Sequence, residues 1–378
     1  MNQSKKIILI GGVVILILAI LLGGIVYRRR RLNQNVQSFV TALNNTSNTT
    51  SNTTNSTNTT NSTNTTGTNT ANNTTTNTTN SGGGTGGGAN QLGAGDYTIT
   101  VKQGSTDRTS LLHIPSSYKS GTAMPLVIAM HGGASDAQGQ ENLSHMKQTA
   151  DTNGFVVAYP QGINKQWNDG RQFVIDQTGN ADDVAFLKAL VTQISSQVSI
   201  DQKRVYATGM SNGALMTMRL ACQASDVFVA FASVAGGLTT ELQPNCKPTG
   251  KVPVLMINGT ADPIMPYAGG EITNFAGAPR GGSIIKTEDT IQFWVSHNGT
   301  GTTPATTTFD NRDRSDGTTT TRYFYSGGQG DVVLLKVDGG GHTWPGGIQY
   351  LPIRTVGPTG RDFDASQVIW DFFKQHTR

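Results

Sequence analysis

The sequence predicts an α/β fold built on a mostly parallel sheet with helices on both faces. Three observations carry that expectation. Continuous apolar runs bounded by turn residues, such as Pro125 to Met130 and Val252 to Ile257, suit strands buried on both faces. Segments with helical spacing separate these runs, which is how parallel strands are connected. One strand-like run, Val205 to Thr208, breaks at Gly209-Met210-Ser211-Asn212-Gly213 and continues into the helix formers Ala214 to Ala221. A serine on a tight strand-to-helix turn needs small neighbours so that strand and helix can pass closely, and Gly209 and Gly213 meet that need.

The chain does not start with this fold. Ile7 to Tyr27 is a 21-residue stretch without charge between Lys5-Lys6 and Arg28 to Arg31, long enough to cross a bilayer as a single helix. It shows no clear short apolar region or small-residue cleavage site, so residues 1–31 read as an uncleaved membrane anchor, the competing reading being a cleaved signal peptide that releases a secreted domain. The four arginines on its downstream side favour keeping that side in the cytoplasm, against a surface placement. Residues 32–94 are dominated by Asn, Thr, Ser and Gly with many Asn-x-Thr/Ser triplets such as Asn48-Thr49-Thr50. Such a segment has too little apolar surface to build a core, and reads as a disordered tether open to glycosylation. Of the 28 basic residues, 22 fall in residues 95–378 against all 24 acidic ones, so the basic pI belongs to the membrane flanks. That balance gives no support to a nucleic-acid surface.

Residues 95–378 are expected to form one domain. Asp96 to Val101 alternates like a half-buried strand, and Ser110 to Pro115 reads as its partner. Buried strands follow at Pro125 to Met130, Phe155 to Tyr159, Val205 to Thr208, Val229 to Val234, Val252 to Ile257 and Val332 to Val337. Helical patterns lie near Glu141 to Asn153, Asp182 to Gln197, Asn212 to Gln223 and Glu288 to His297. A last helix, Ser366 to Gln375, carries Val368, Ile369, Phe372 and Phe373 on one face to close the fold. The two cysteines, Cys222 and Cys246, can close one loop in an oxidising compartment or stay as buried thiols. The six histidines show no paired ligand spacing, so no metal or other cofactor is expected.

A serine hydroxyl is a weak nucleophile that needs a base, and the base needs an orienting acid. With the nucleophile on a strand-turn-helix elbow the chain order is serine, acid, histidine. His297 lies inside a helical pattern and His376 at the terminus, leaving His342, in Gly339-Gly340-Gly341-His342-Thr343-Trp344-Pro345, as the base. Asp262, directly after the strand Val254 to Ile257, is the acid; Asp226, Asp289 and Asp310 sit in less suitable contexts. The developing oxyanion needs two backbone donors, for which the N–H groups of Asn212 and Gly133 are the candidates. Trp167 and Trp344 are expected to flank the cleft, either contacting substrate or serving as packing residues.

Six ordered motifs, His131-Gly132-Gly133, Trp167-Asn168-Asp169-Gly170, Asp182 to Leu187, Gly209 to Gly213, Gly259 to Asp262 and Gly340 to Gly346, resemble the polyhydroxybutyrate depolymerase-like and feruloyl esterase branch of the α/β hydrolases. The resemblance runs from about Tyr97 to the C-terminus. It implies the α/β-hydrolase fold, carboxylic ester hydrolysis through an acyl-enzyme, the triad Ser211, Asp262 and His342, and a disulfide between Cys222 and Cys246. Gly133 stands where family members often carry a cysteine, so a second disulfide near the oxyanion loop is unavailable. The expectation is therefore a surface-tethered, extracellular serine esterase acting on hydroxyalkanoate polyesters or oligomers, or on feruloyl or acetyl groups of polysaccharide. The alternatives are a non-catalytic binding module on a hydrolase scaffold and a peptidase or acyltransferase of the same fold.

Overall fold

Six parallel strands form the centre of one ten-stranded sheet. The computed structural model describes residues 91–378; the expected anchor helix and nearly all of the expected tether lie outside the described residues. Strands β1 (Gly95–Gln103) and β2 (Thr106–Ile114) pair antiparallel at one edge. The parallel set comprises β3 (Met124–Met130), β4 (Val156–Pro160), β5 (Ile200–Met210), β6 (Ala230–Val234), β7 (Val254–Gly259) and β12 (Val332–Asp338). Strands β10 (Ala305–Thr308) and β11 (Thr319–Tyr325) extend the other edge antiparallel, giving the order 1-2-4-3-5-6-7-12-11-10. This mostly parallel sheet with its helices fits the α/β-hydrolase fold. Strands β8 (Gly270–Thr273) and β9 (Pro279–Ile284) pair as a separate antiparallel hairpin.

The alternating faces of the strands create two cores, one on each side of the sheet. Leu126, Ile128 and Met130 of β3 join one, with Val156, Val205, Val254 and Leu334, while Val127 and Ala129 join the other, with Val157, Tyr206 and Leu255. The first core is covered by α4 (Asp183–Ser195), α5 (Asn212–Gln223) and α6 (Thr287–Asn298) through Phe186, Met216 and Trp294. The second is covered by α2 (Met146–Asn153) and α8 (Ala365–Phe373). In α8 the Trp370 ring stacks on Phe155 at 4.3 Å and Phe373 stacks on Tyr206 at 4.8 Å, which docks the C-terminal helix on the sheet.

Three features depart from the sequence expectation. The helix expected over 141–153 is two, α1 (Ala137–Ser144) and α2, because His145 between them adopts a left-handed conformation (φ 53°). The short helix α3 (Gln172–Thr178) and the pairs β8–β9 and β10–β11 carry weak apolar patterns and were not expected. The helix α7 (Ile353–Val356) is a single turn. A disulfide joins Cys222 in α5 to Cys246, just after a 3₁₀ turn at Gln243–Asn245. Among the described residues no helix is long and apolar enough to cross a membrane, and no group of three or more His, Cys, Asp or Glu side chains is arranged to hold a metal ion.

Candidate active site

Ser211 sits between β5 and α5 with φ 58° and ψ −121°, a conformation that non-glycine residues rarely adopt. The surrounding backbone enforces it. A methyl group on Gly213 would run into the carbonyls of Met130 and His131, and one on Gly209 into the carbonyl of Gly213. Strand β3, strand β5 and helix α5 therefore meet at backbone contact, and the serine is the residue left projecting from the turn.

The other strand ends bring the expected partners together. Strands β7 and β12 lie side by side with Gly259 opposite Val337, so the turns that follow them touch. Asp262 and His342 are 8% and 2% exposed, and His342 Nδ1 lies 2.7 Å from Asp262 Oδ2. Asp262 Oδ1 accepts from the backbone N–H groups of Ile264 (2.8 Å) and Met265 (2.9 Å), which fixes the carboxylate in the turn. With the carboxylate as acceptor, Nδ1 carries the imidazole proton and Nε2 is free to accept one. Ser211 and His342 line the same cleft, with no hydrogen bond between their side chains. Such contacts are often loose without substrate.

Gly133 and Asn212 also line this cleft, and among the described residues neither backbone N–H has an intramolecular acceptor. The loop carrying Gly133 is held by His131. Its Nδ1 donates to the Gly132 carbonyl (2.8 Å), and its Nε2 accepts from the Gly162 N–H (3.0 Å). Burial pushes the His131 imidazole down to about 4, against a smaller opposing effect of its bond to Gly132, so the ring is neutral and keeps this tautomer. On the other side, the Asn212 amide uses all its close partners. Its Oδ1 accepts from the Trp167 N–H (2.7 Å), and its Nδ2 donates to the Trp167 carbonyl (2.9 Å) and to Asp169 Oδ2 (2.7 Å). Asp169 in turn accepts from Arg171 Nη2 (2.7 Å) and Nε (3.1 Å). The motif Trp167-Asn168-Asp169-Gly170 thus clamps the residue that follows the serine.

That clamp corrects one expectation. Trp167 and Trp344 are 0% exposed and line no part of the cleft. Trp167 Nε1 donates to the His131 carbonyl (2.9 Å) and Trp344 Nε1 to Ser366 Oγ (3.2 Å), so both rings are packing residues whose polar edges tie distant segments together. The cleft wall is instead built from Phe173, Ile264, Met265, Ile272 and Phe275, with Gln166, Asn274, Arg171 and Arg280 as its polar members. A larger hollow of about 470 Å³, between Thr308 and Val368, contains none of the residues above. Sequence reasoning missed the true wall because most of it comes from the β8–β9 hairpin and α3, whose local patterns are weak.

The esterase PHB depolymerase family model matches residues 111–265. The protein named "Putative esterase NocK" of Nocardia uniformis subsp. tsuyamanensis is 31% identical over 297 residues, spanning 73% of this chain and 83% of that protein. The chain belongs to the esterase PHB depolymerase family. As a member of this family it is an esterase, a carboxylic ester hydrolase. Feruloyl esterase B of Piromyces equi is 29% identical over 241 residues, covering 62% of this chain but only 42% of that protein. Among solved structures, the acetyl xylan esterase from Aspergillus awamori aligns with a TM-score of 0.47 at 16% identity, covering 65% of this chain and 94% of that one.

Proposed function

We propose that this esterase works by serine catalysis, with Ser211 as nucleophile, His342 as general base and Asp262 as the acid that orients it. The observation that carries the reading is a strained serine and a histidine lining one cleft, the histidine held 2.7 Å from a buried carboxylate. Ser211 Oγ attacks the ester carbonyl as its proton passes to His342 Nε2. The negative oxygen of the tetrahedral intermediate accepts from the N–H groups of Asn212 and Gly133. His342 then gives the proton to the departing alkoxide, leaving an acyl-serine. Water, deprotonated by the same imidazole, releases the acid and restores Ser211.

The substrate class follows from the relatives' names and the apolar wall. The family name points to hydroxyalkanoate esters, and the Piromyces equi relative to feruloyl esters. We further propose that the domain acts outside the cell, held by the apolar stretch Ile7 to Tyr27. The Cys222–Cys246 disulfide supports an oxidising compartment. Turnover of a short-chain p-nitrophenyl ester and fluorophosphonate labelling, both lost in Ser211→Ala, are the expected results. Unchanged turnover in that variant would refute the serine reading, and an intact fold with no turnover in the wild type would favour a binding module. Degradation of the tether by protease added to intact cells tests the placement, which protection would contradict.

A further inference from the structure

The catalytic cleft contains a cation with nothing to pair with. Arg280, the second residue of β9, lines the cleft together with Ser211 and His342. Among the described residues it makes no ion pair and no side-chain hydrogen bond. Its guanidinium carbon lies 5.3 Å from the centroid of the Phe173 ring, which orients the planar group without neutralising it. The cleft's other arginine differs. Arg171 is neutralised by Asp169 and also donates from Nη1 to the Gly281 carbonyl at 3.1 Å. Among the described residues no aspartate or glutamate lines the cleft.

Half-buried and next to a second positive charge, Arg280 sits in an unfavourable position; burial first, then Arg171, pulls its proton affinity below the ordinary arginine range. The Phe173 contact offsets only part of that penalty. A ligand carboxylate would remove the penalty, and guanidinium forms two parallel hydrogen bonds to that group.

We propose that Arg280 is a specificity-determining residue that binds a free carboxylate on the substrate. The substrate class it selects is the short oligoester that ends in a free acid. A hydroxyalkanoate oligomer cut near its acid end carries that group a few bonds from the scissile carbonyl, whereas a feruloyl ester carries none. This rests on the serine-esterase reading of the same cleft and narrows its substrate to oligomers over polymer and over feruloyl groups. Ser211 Oγ attacks the ester carbonyl, the alkoxide of the terminal hydroxy acid leaves with the proton from His342, water then releases the acyl group from Ser211, and the terminal carboxylate is unchanged throughout.

The test compares kcat/KM for the dimer of 3-hydroxybutyrate as free acid with that for its neutral terminal amide. The wild type is expected to prefer the acid by on the order of 10-fold or more, as charge-assisted pairing in a partly desolvated site allows. In Arg280→Gln the ratio should fall to about 1, in Arg280→Lys to an intermediate value, and added salt should shrink it. No preference in the wild type, or the same preference in Arg280→Gln, overturns the proposal. So does faster turnover of methyl ferulate that is insensitive to the substitution. If neither dimer is turned over, the serine reading is still decided separately by p-nitrophenyl ester turnover in wild type and Ser211→Ala. Calorimetric binding of the dimer acid to the Ser211→Ala protein then reads the anion site alone: binding abolished by adding Arg280→Gln supports it, and no binding, or binding that survives, overturns it.

Discussion

Acid should weaken this fold through His131, and the size of the effect follows from its burial. The imidazole is fully enclosed, bonded at both nitrogens and pushed down to about 4. In the unfolded chain the same group takes up a proton near 6.5. Between those values the unfolded state binds more protons than the folded one, so stability is complete above about 6.5 and is lost as the pH falls toward 4. Two and a half units correspond to about 3 kcal/mol in the limit, of which ~2 kcal/mol is lost between pH 7 and pH 5. For a domain of this size that is roughly 4–8 °C in Tm. The assay is thermal or urea unfolding at pH 7, 6 and 5 for the wild type and for His131→Asn, which keeps a polar group but cannot titrate. His376, whose proton affinity is also depressed by burial, is present in both proteins and cancels in the difference. The variant should start less stable, because the Gly162 N–H loses its acceptor, but its curve should be flatter. Parallel curves would refute the reasoning.

Asp262→Asn should leave the fold intact and lower kcat by roughly 10³–10⁴-fold, because an amide at this position favours the wrong imidazole tautomer; pre-steady-state and steady-state hydrolysis of a p-nitrophenyl ester measure it. Asp169→Ala leaves Arg171 buried without its carboxylate and frees the Asn212 amide, and should cost about 3–5 kcal/mol in urea unfolding together with a fall in kcat. Cys246→Ser opens a loop with a sequence separation of 24 and should cost about 3 kcal/mol, while dithiothreitol added to that variant should have no further effect.

The parts of the molecule that were legible are those whose cause is local. Continuous apolar runs placed β3 through β7 and β12 because a strand buried on both faces has no polar position to spare. Gly209 and Gly213 announced the elbow because their missing side chains are a steric requirement. Asp262 and His342 were expected to meet from their places after strands, and their side chains lie 2.7 Å apart. What remained hidden depends on partners far along the chain. A tryptophan beside a glycine-rich turn looks the same whether it faces substrate or core, and only the carbonyl of His131 and the hydroxyl of Ser366 decide that Trp167 and Trp344 face inward. Arg280 stands in a run of glycine, alanine and proline with no periodicity, and its significance lies in the absence of a nearby carboxylate. The break at His145 likewise reflects tertiary packing that overrides helix propensity.

The clamp around Asn212 gives the site a property that neither the triad nor the wall has alone. Asn212 holds Asp169, Asp169 holds Arg171, and Arg171 holds the Gly281 carbonyl, the residue after Arg280. One buried polar chain therefore runs from the residue that follows the nucleophile to the hairpin that carries the unpaired cation. A network of this kind is rigid only when every member is satisfied, and each link here has its partner. The hairpin is anchored by Ile272 and Ile284, buried beside Ile264, Met265 and Leu215, and by backbone bonds such as Thr273 N–H to the Ile264 carbonyl; Arg171 adds a polar tie at the Gly281 carbonyl, beside Arg280. Fixing Arg280 to the same frame as Ser211 makes the distance between scissile ester and recognised charge a property of the fold. The hairpin packs Ile272 and Ile284 against Leu215 of the helix that follows Ser211, so the recognition of the charge and the cutting of the ester share one rigid support.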